Sequence, residues 1–321
     1  MNGPAAAEQP PLVEIDTPDI EAFRDGGNAI PYTTTWDSGV AGPHVMLTAL
    51  VHGNELCGAH AVNFVNQRGI RPRRGRLSVA LCNVDAFRRF DRANPTASRY
   101  VDEDFNRVWD ITTLNGPRTS VELRRARELR PFIDTADLLL DLHSMQTTTL
   151  PLMLAGPLRK GTDLARKVGV PALVVVDSGH AAGKRMRDYA GFGDPQSPAN
   201  ALLVECGQHW LKSSIDVAIE TTLRFLVATG AIDQADAAPH LGPAPAPQRV
   251  VEVTQAVTVA TPSFAFVEDF NGLEVIARAG TTIARDGAVD VRTPYDDCVL
   301  IMPSKRLAPG QTAVRLGRFI G

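Results

Sequence analysis

Residues 50–55, Leu-Val-His-Gly-Asn-Glu, join an apolar run (45–51) to a helical stretch that begins at Glu55. A histidine and a glutamate three residues apart at such a corner can converge on one point, and imidazole with carboxylate is a donor set suited to zinc. The same letters also describe an ordinary helix start with an acidic first turn. Two further apolar runs end in the same way: 136–142 runs into His143, and 201–204 runs into Glu205. His52, Glu55 and His143 together make two imidazoles and one carboxylate, the open three-ligand arrangement of a catalytic zinc. Asp141, two residues before His143, shares its strand face and could take the spare imidazole proton or bond to backbone. Glu205 reads either as a general base beside a metal-bound water or as the partner of an arginine.

The segment 99–107, Arg-Tyr-Val-Asp-Glu-Asp-Phe-Asn-Arg, supplies guanidinium forks that could bind a carboxylate or a developing oxyanion. An exposed charge run has the same composition. The remaining histidines, His44, His60, His180, His209 and His240, read as surface or packing residues. Neither Cys57 nor Cys206 lies in a nucleophile-elbow or paired-histidine context, which argues against a cysteine hydrolase. In residues 179–184 the glycine spacing is too short for a P-loop, and Arg185 stands where Ser or Thr is needed.

The elements that position these residues follow from the pattern. Helical spacing covers 55–65, 158–168 and 214–229, the last closed by Gly230. Thr119-Ser120-Val121-Glu122 reads as a capping box opening a helix that ends near Leu129, before Pro131. Strand-like runs fall at 77–81, 151–155 and 172–176, and a long irregular segment spans 83–117. Alternating strands and helices predict an α/β fold: a mixed, largely parallel sheet with helices on both faces and sites at the strands' carboxyl ends. The domain reading is a disordered N-terminus (1–11), a catalytic domain (12–233), a Pro/Ala linker (234–248) and a small all-β domain (249–321).

Composition bounds the class. The 321 residues are 44% hydrophobic and 21% charged, enough for two cores. A net charge of -3 gives no case for nucleic acid or an anionic membrane as partner. No apolar run approaches the roughly 20 residues that span a bilayer. Four dispersed cysteines without a CxxC pair read as reduced thiols of a cytoplasmic protein.

HGNE at 52–55, RYVDEDFNR at 99–107, DLH at 141–143 and VECG at 204–207, in this order, resemble the succinylglutamate desuccinylase/aspartoacylase family of the zinc carboxypeptidase-like fold. The resemblance covers roughly residues 43–230, and a terminal β domain is also that family's pattern. It implies one Zn2+ per chain on His52, Glu55 and His143, with Glu205 as general base. It further implies that Arg99 polarises the scissile carbonyl, and that Asn106 and Arg107 hold a substrate carboxylate. The loop 177–199 does not align with aspartoacylase, so Arg187 and Tyr189 stand as candidates for further substrate contacts, and Tyr295 as the candidate from the β domain. The expectation is a zinc-dependent amidohydrolase acting on a small N-acylated, carboxylate-bearing molecule, with a zinc carboxypeptidase as the alternative. The acyl group, the amine and whether the chain forms a homo-oligomer stay open.

Overall fold

A computed structural model describes residues 12–179 and 182–320. The expected disorder of 1–11 and the reading of His180 fall outside the described residues. The strands in chain order are β1 Thr33–Asp37, β2 His44–Ala49, β3 Arg76–Leu81, β4 Leu138–Met145, β5 Leu152–Leu154, β6 Leu173–Val176 and β7 Asn200–Gln208. They continue with β8 Arg249–Thr258, β9 Ala265–Phe266, β10 Val275–Ile276, β11 Thr282–Asp286, β12 Val289–Arg292, β13 Cys298–Ile301 and β14 Thr312–Ile320. Among the described residues, eleven of them form one mixed sheet in the order β1-β3-β2-β4-β7-β5-β6-β8-β14-β13-β10. Its centre, β3-β2-β4-β7, is parallel.

The sheet's centre explains the two-sided burial of its strands. All six residues of β2 are buried. Val45, Leu47 and Ala49 join the core beneath the helices Cys57–Gln67 and Lys212–Ala228, whereas Met46 joins the core beneath the helix Val121–Ile133. Side chains alternate across a strand, so helices on both faces require an unbroken apolar run of this kind.

The helix Val121–Ile133 departs from expectation at both ends. Its N-cap is Ser120, whose Oγ accepts from the Leu123 N–H at 2.9 Å. Glu122 does not turn back to complete a capping box; it reaches into the 99–107 loop instead. The helix also continues past Pro131, because Leu129 and Ile133, four residues apart, are both fully buried on one face.

Residues 249–320 are strands joined by turns, but four of these strands extend the main sheet instead of standing apart from it. β8 pairs in parallel with β6 from Leu173↔Arg249 to Val176↔Glu252. β14, β13 and β10 then extend the sheet outward. An apolar edge such as β6 needs a covering strand, and Val251, Val299 and Ile301 share a core with Leu154, Val175 and Leu203. The expected linker is partly folded as well: Gln234–Ala237 is a helical turn capped by Asp233 and Asp236. β9, β11 and β12 make a small second sheet that shares a core with β13 and β14, including Ile283, Leu300 and Val314. None of the described helices is long and apolar enough to cross a membrane.

Candidate active site

β2 delivers the first two site residues. After Ala49 the chain passes through Leu50 at φ +54, a conformation rare for a branched residue, and turns so that His52 and Glu55 precede the helix Cys57–Gln67. Gly53 makes the turn sterically feasible. A Cβ there would lie 2.4–2.5 Å from backbone atoms of Ala86, Phe87 and Ser98. The Gly53 N–H also donates to the Arg99 carbonyl at 3.0 Å, tying the corner to the 99–107 loop. Gly53→Ala is therefore expected to cost about 2–3 kcal/mol, the scale of overpacking against an unyielding neighbour, and to weaken metal retention. Urea unfolding together with metal analysis checks this, and wild-type values for both would show that the corner yields.

His143 and Glu205 lie within β4 and β7 near their carboxyl ends, directly opposite each other in the parallel ladder. The ligand atoms of His52, Glu55 and His143 all fall within 4.8 Å of one another, and all three residues are buried. The two imidazoles turn their Nδ1 atoms onto Glu55, His52 to Oε1 at 2.7 Å and His143 to Oε2 at 2.9 Å. Their far nitrogens meet carboxylates: His143 Nε2 lies 2.9 Å from Asp141, and His52 Nε2 lies 2.9 Å from Asp104. This is the carboxylate–histidine arrangement that fixes a ligand imidazole and leaves its other nitrogen for the metal. Burial opposes ionisation of Glu55, but the two imidazoles hold its carboxyl well below the usual carboxylate range. The donor set fits a divalent cation of the zinc type.

Arginines, an asparagine and further carboxylates surround this triad. Glu205 Oε2 is buried with no hydrogen-bond partner among the described residues. Burial, and then the Glu55 charge, push the Glu205 carboxyl up to about 8. Arg99 donates to Glu55 at 3.0 Å and to Asp104 at 3.1 Å. Asn106 approaches His143 Nε2 with its amide nitrogen at 3.4 Å, while its Oδ1 accepts from the Met186 N–H at 2.8 Å. Arg107 forms no ion pair among the described residues; its one side-chain bond is to the Asn106 carbonyl. Burial, with Arg99, Arg185 and Arg315 nearby, pushes its guanidinium down to about 10 against the pull of Asp104. The triad, Arg99, Asp104, Asn106, Arg107 and Glu205 line one cavity of about 320 Å³, with Arg306 and Arg315 contributed by the C-terminal strands and their connection.

Three candidates from the sequence are not brought to this cavity. Arg187 is buried among backbone, donating to the Ala155 and Ala201 carbonyls at 3.0 and 2.7 Å, and it occupies the space beside Gly156. Tyr189 is buried with its hydroxyl on Asp134 and Arg130. Tyr295 binds Thr254 and lies beneath Arg318. Arg185, two residues from Arg187, lines the cavity instead, held bidentately by Asp177 at 2.7 and 3.0 Å. Asp104, Glu122 and His209 also stand in or behind the site, whereas sequence pattern gives Asp104 no role, Glu122 a place in a helix cap and His209 one at the surface or in packing. The signal for His209 was its place one residue beyond β7, the rule that found the other strand-end groups.

The profile of the Succinylglutamate desuccinylase/Aspartoacylase catalytic domain matches residues 41–227. The chain is 30% identical over 118 residues to the N-acyl-aromatic-L-amino acid amidohydrolase (carboxylate-forming) of Rattus norvegicus, over 33% of this chain and 34% of that protein. It is 33% identical over 102 residues to the aspartoacylase of Mus musculus, over 29% and 31% of the two. The matched stretch thus spans about a third of the length of each of these curated relatives. The crystal structure of succinylglutamate desuccinylase from Vibrio cholerae superposes with a TM-score of 0.65 at 17% identity, covering 87% of this chain and 82% of that one. At that identity the likeness shows a shared fold. With more than half its length matched by the catalytic-domain profile, the chain belongs to the succinylglutamate desuccinylase/aspartoacylase family.

Proposed function

We propose that the protein is a zinc-dependent amidohydrolase that cleaves the N-acyl bond of a small acylated amino acid. The observation that carries this reading is the convergence of His52, Glu55 and His143 beside Glu205, whose buried Oε2 has no partner among the described residues. Zinc held by the three would supply Lewis acidity and lower the pKa of a bound water. Glu205 takes the proton of the attacking water and returns it to the leaving nitrogen. Arg99 donates to the oxyanion that develops on the acyl carbonyl oxygen. Asn106 and Arg107 hold the carboxylate of the amino-acid half; a largely buried guanidinium that forms no ion pair among the described residues favours an anionic ligand. A cavity of about 320 Å³ suits a small molecule. The four free cysteines, all buried, support a reducing, cytoplasmic setting.

The test combines metal analysis with a substrate panel. Wild-type protein is expected to hold about one zinc per chain, and His143→Ala to lose metal and activity together. Full zinc occupancy in that variant would remove His143 from the ligand set. The panel comprises N-acetyl, N-succinyl and N-aroyl amino acids, with a dipeptide to detect carboxypeptidase action. Release of amine from no acylated member would overturn the deacylase reading.

A further inference from the structure

Lys160 lies in the first turn of the helix Arg159–Val168, where the helix dipole disfavours a cation. Its ammonium is repaid elsewhere. Nζ donates to four backbone carbonyls of one turn: Gly191 at 3.0 Å, Asp194 at 2.7 Å, Ser197 at 3.0 Å and Ala199 at 2.7 Å. An ammonium has only three N–H donors. With four oxygens at these distances at least one N–H is shared, so the group is held as a compact charge as well as by directed bonds. None of these five residues lines the active-site cavity.

The turn is shaped around that charge. The Gly191 carbonyl also accepts from the Asp194 N–H at 3.3 Å, and the Asp194 carbonyl from the Ser197 N–H at 3.2 Å, so two successive turns bring their oxygens round one centre. The side chains are spent on the turn's own backbone: Asp194 Oδ1 accepts from the Gln196 N–H at 2.8 Å, and Ser197 Oγ from the Ala199 N–H at 3.2 Å. Gly193 permits the wrap, because a Cβ there would lie 2.4 Å from the Asp188 carbonyl oxygen. Asn200, which opens β7, donates from Nδ2 to the Lys160 carbonyl at 2.8 Å and closes the arrangement. Of the charged side chains acting on the ammonium, Asp194 attracts it and Arg187 repels it. Carbonyl oxygens gathered in this way are what replaces the hydration shell of a potassium ion. Calcium and magnesium sit about 2.0–2.6 Å from their oxygens and draw on carboxylates; here the oxygens stand farther out and all belong to backbone.

We propose that the turn 191–199 is a monovalent-cation site and that Lys160 is its tethered occupant. The ligand class is a potassium or ammonium ion, which takes the Nζ position once the lysine's own charge is gone. Lys160 is half-buried, so the site can exchange with solvent. In the intact chain the tether supplies the cation at high effective concentration. The segment that leads from Arg185 to β7 is thereby held whatever the surrounding salt.

The experiment follows thermal unfolding of the full chain as wild type, Lys160→Ala and Lys160→Met, in potassium, ammonium and choline chloride at one ionic strength. Alanine favours a helix, so Lys160→Ala keeps the helix start while emptying both the stem's space and the cage. Methionine keeps an uncharged stem of similar length and leaves no room for an ion. In choline chloride both variants are expected to unfold roughly 5 °C or more below wild type. Potassium and ammonium are expected to return at least about half of that loss to Lys160→Ala by binding the folded state, and none of it to Lys160→Met. The wild type does not distinguish the three salts. A Lys160→Ala chain that folds only when potassium or ammonium is added supports the proposal equally. One that stays unfolded in every salt overturns it, as does one that melts with wild type in choline or melts alike in potassium and choline. Equal rescue of both variants also overturns it, since that is a bulk effect of salt. Activity is not the readout, so failure here leaves the deacylase reading untouched.

Discussion

Glu205→Gln is expected to retain zinc and fold while losing at least about two orders of magnitude in turnover, the usual scale for removing a general acid–base group. The amide has the shape of the carboxyl but cannot accept the proton of the attacking water. No internal bond is broken by the exchange, because Glu205 Oε2 has no partner among the described residues. The variant should also change how the metal-free protein responds to pH. Burial and the Glu55 charge raise the folded-state value from about 4.5 to about 8. Between those values the unfolded chain releases a proton that the folded chain keeps, so the metal-free wild type loses stability as pH rises through that window. Glu205→Gln removes that contribution. Positive charge bound at the triad favours the carboxylate and lowers its pKa again, so the slope belongs to the metal-free protein. Steady-state kinetics of the zinc-loaded variant and urea unfolding of metal-free protein at pH 5 and 8 measure both effects. Near-normal turnover would assign the base to another residue.

What the sequence makes legible is what a regular element dictates. His52, His143 and Glu205 follow or end apolar strands of a parallel sheet, so a rule about strand ends finds all three. Asp141 is legible for a related reason: a strand places residue i and residue i+2 on one face. The structure adds that Asp141 also accepts from Thr48 Oγ1 at 2.7 Å, which orients it from the neighbouring strand. The irregular segments carry no such rule. Asp104 holds His52 exactly as Asp141 holds His143 in kind, yet it lies in a loop whose acidic run resembles a solvated surface. In 186–193 the chain turns through short 3-10 segments, so Arg185 reaches the cavity while Arg187, two residues on, is fixed to backbone. The β8–β6 pairing was hidden for a different reason. Edge pairing joins segments far apart in sequence, and local pattern does not specify the partner.

Glu122→Ala is expected to lower stability by about 3–4 kcal/mol and to reduce kcat/KM, although Glu122 does not line the cavity. Its side chain is fully buried. One oxygen accepts from the Val101 N–H at 2.7 Å and from Asn83 Nδ2 at 3.0 Å. The other accepts from the N–H groups of Asp102 and Glu103 at 3.1 and 3.2 Å. Asp102 returns the contact by accepting from the Val121 N–H at 2.8 Å, so loop and helix start hold each other. Truncation strands four donors, each costing about 1–3 kcal/mol if left dry. The total is kept below their sum because Asp102 is exposed and water can reach that end. The same loop carries Arg99, Asp104, Asn106 and Arg107, so releasing it disorders one support of His52 and the whole proposed carboxylate clamp. Glu122→Gln is not a mild exchange here: its NH2 group must face N–H donors on one side, which loses at least one charge-assisted bond. Both variants should therefore fall in stability and kcat/KM together, whereas Glu205→Gln falls in turnover alone. Urea unfolding and kinetics on the zinc-loaded proteins separate the two patterns. Wild-type stability in Glu122→Ala would mean that the loop holds its shape without this carboxylate.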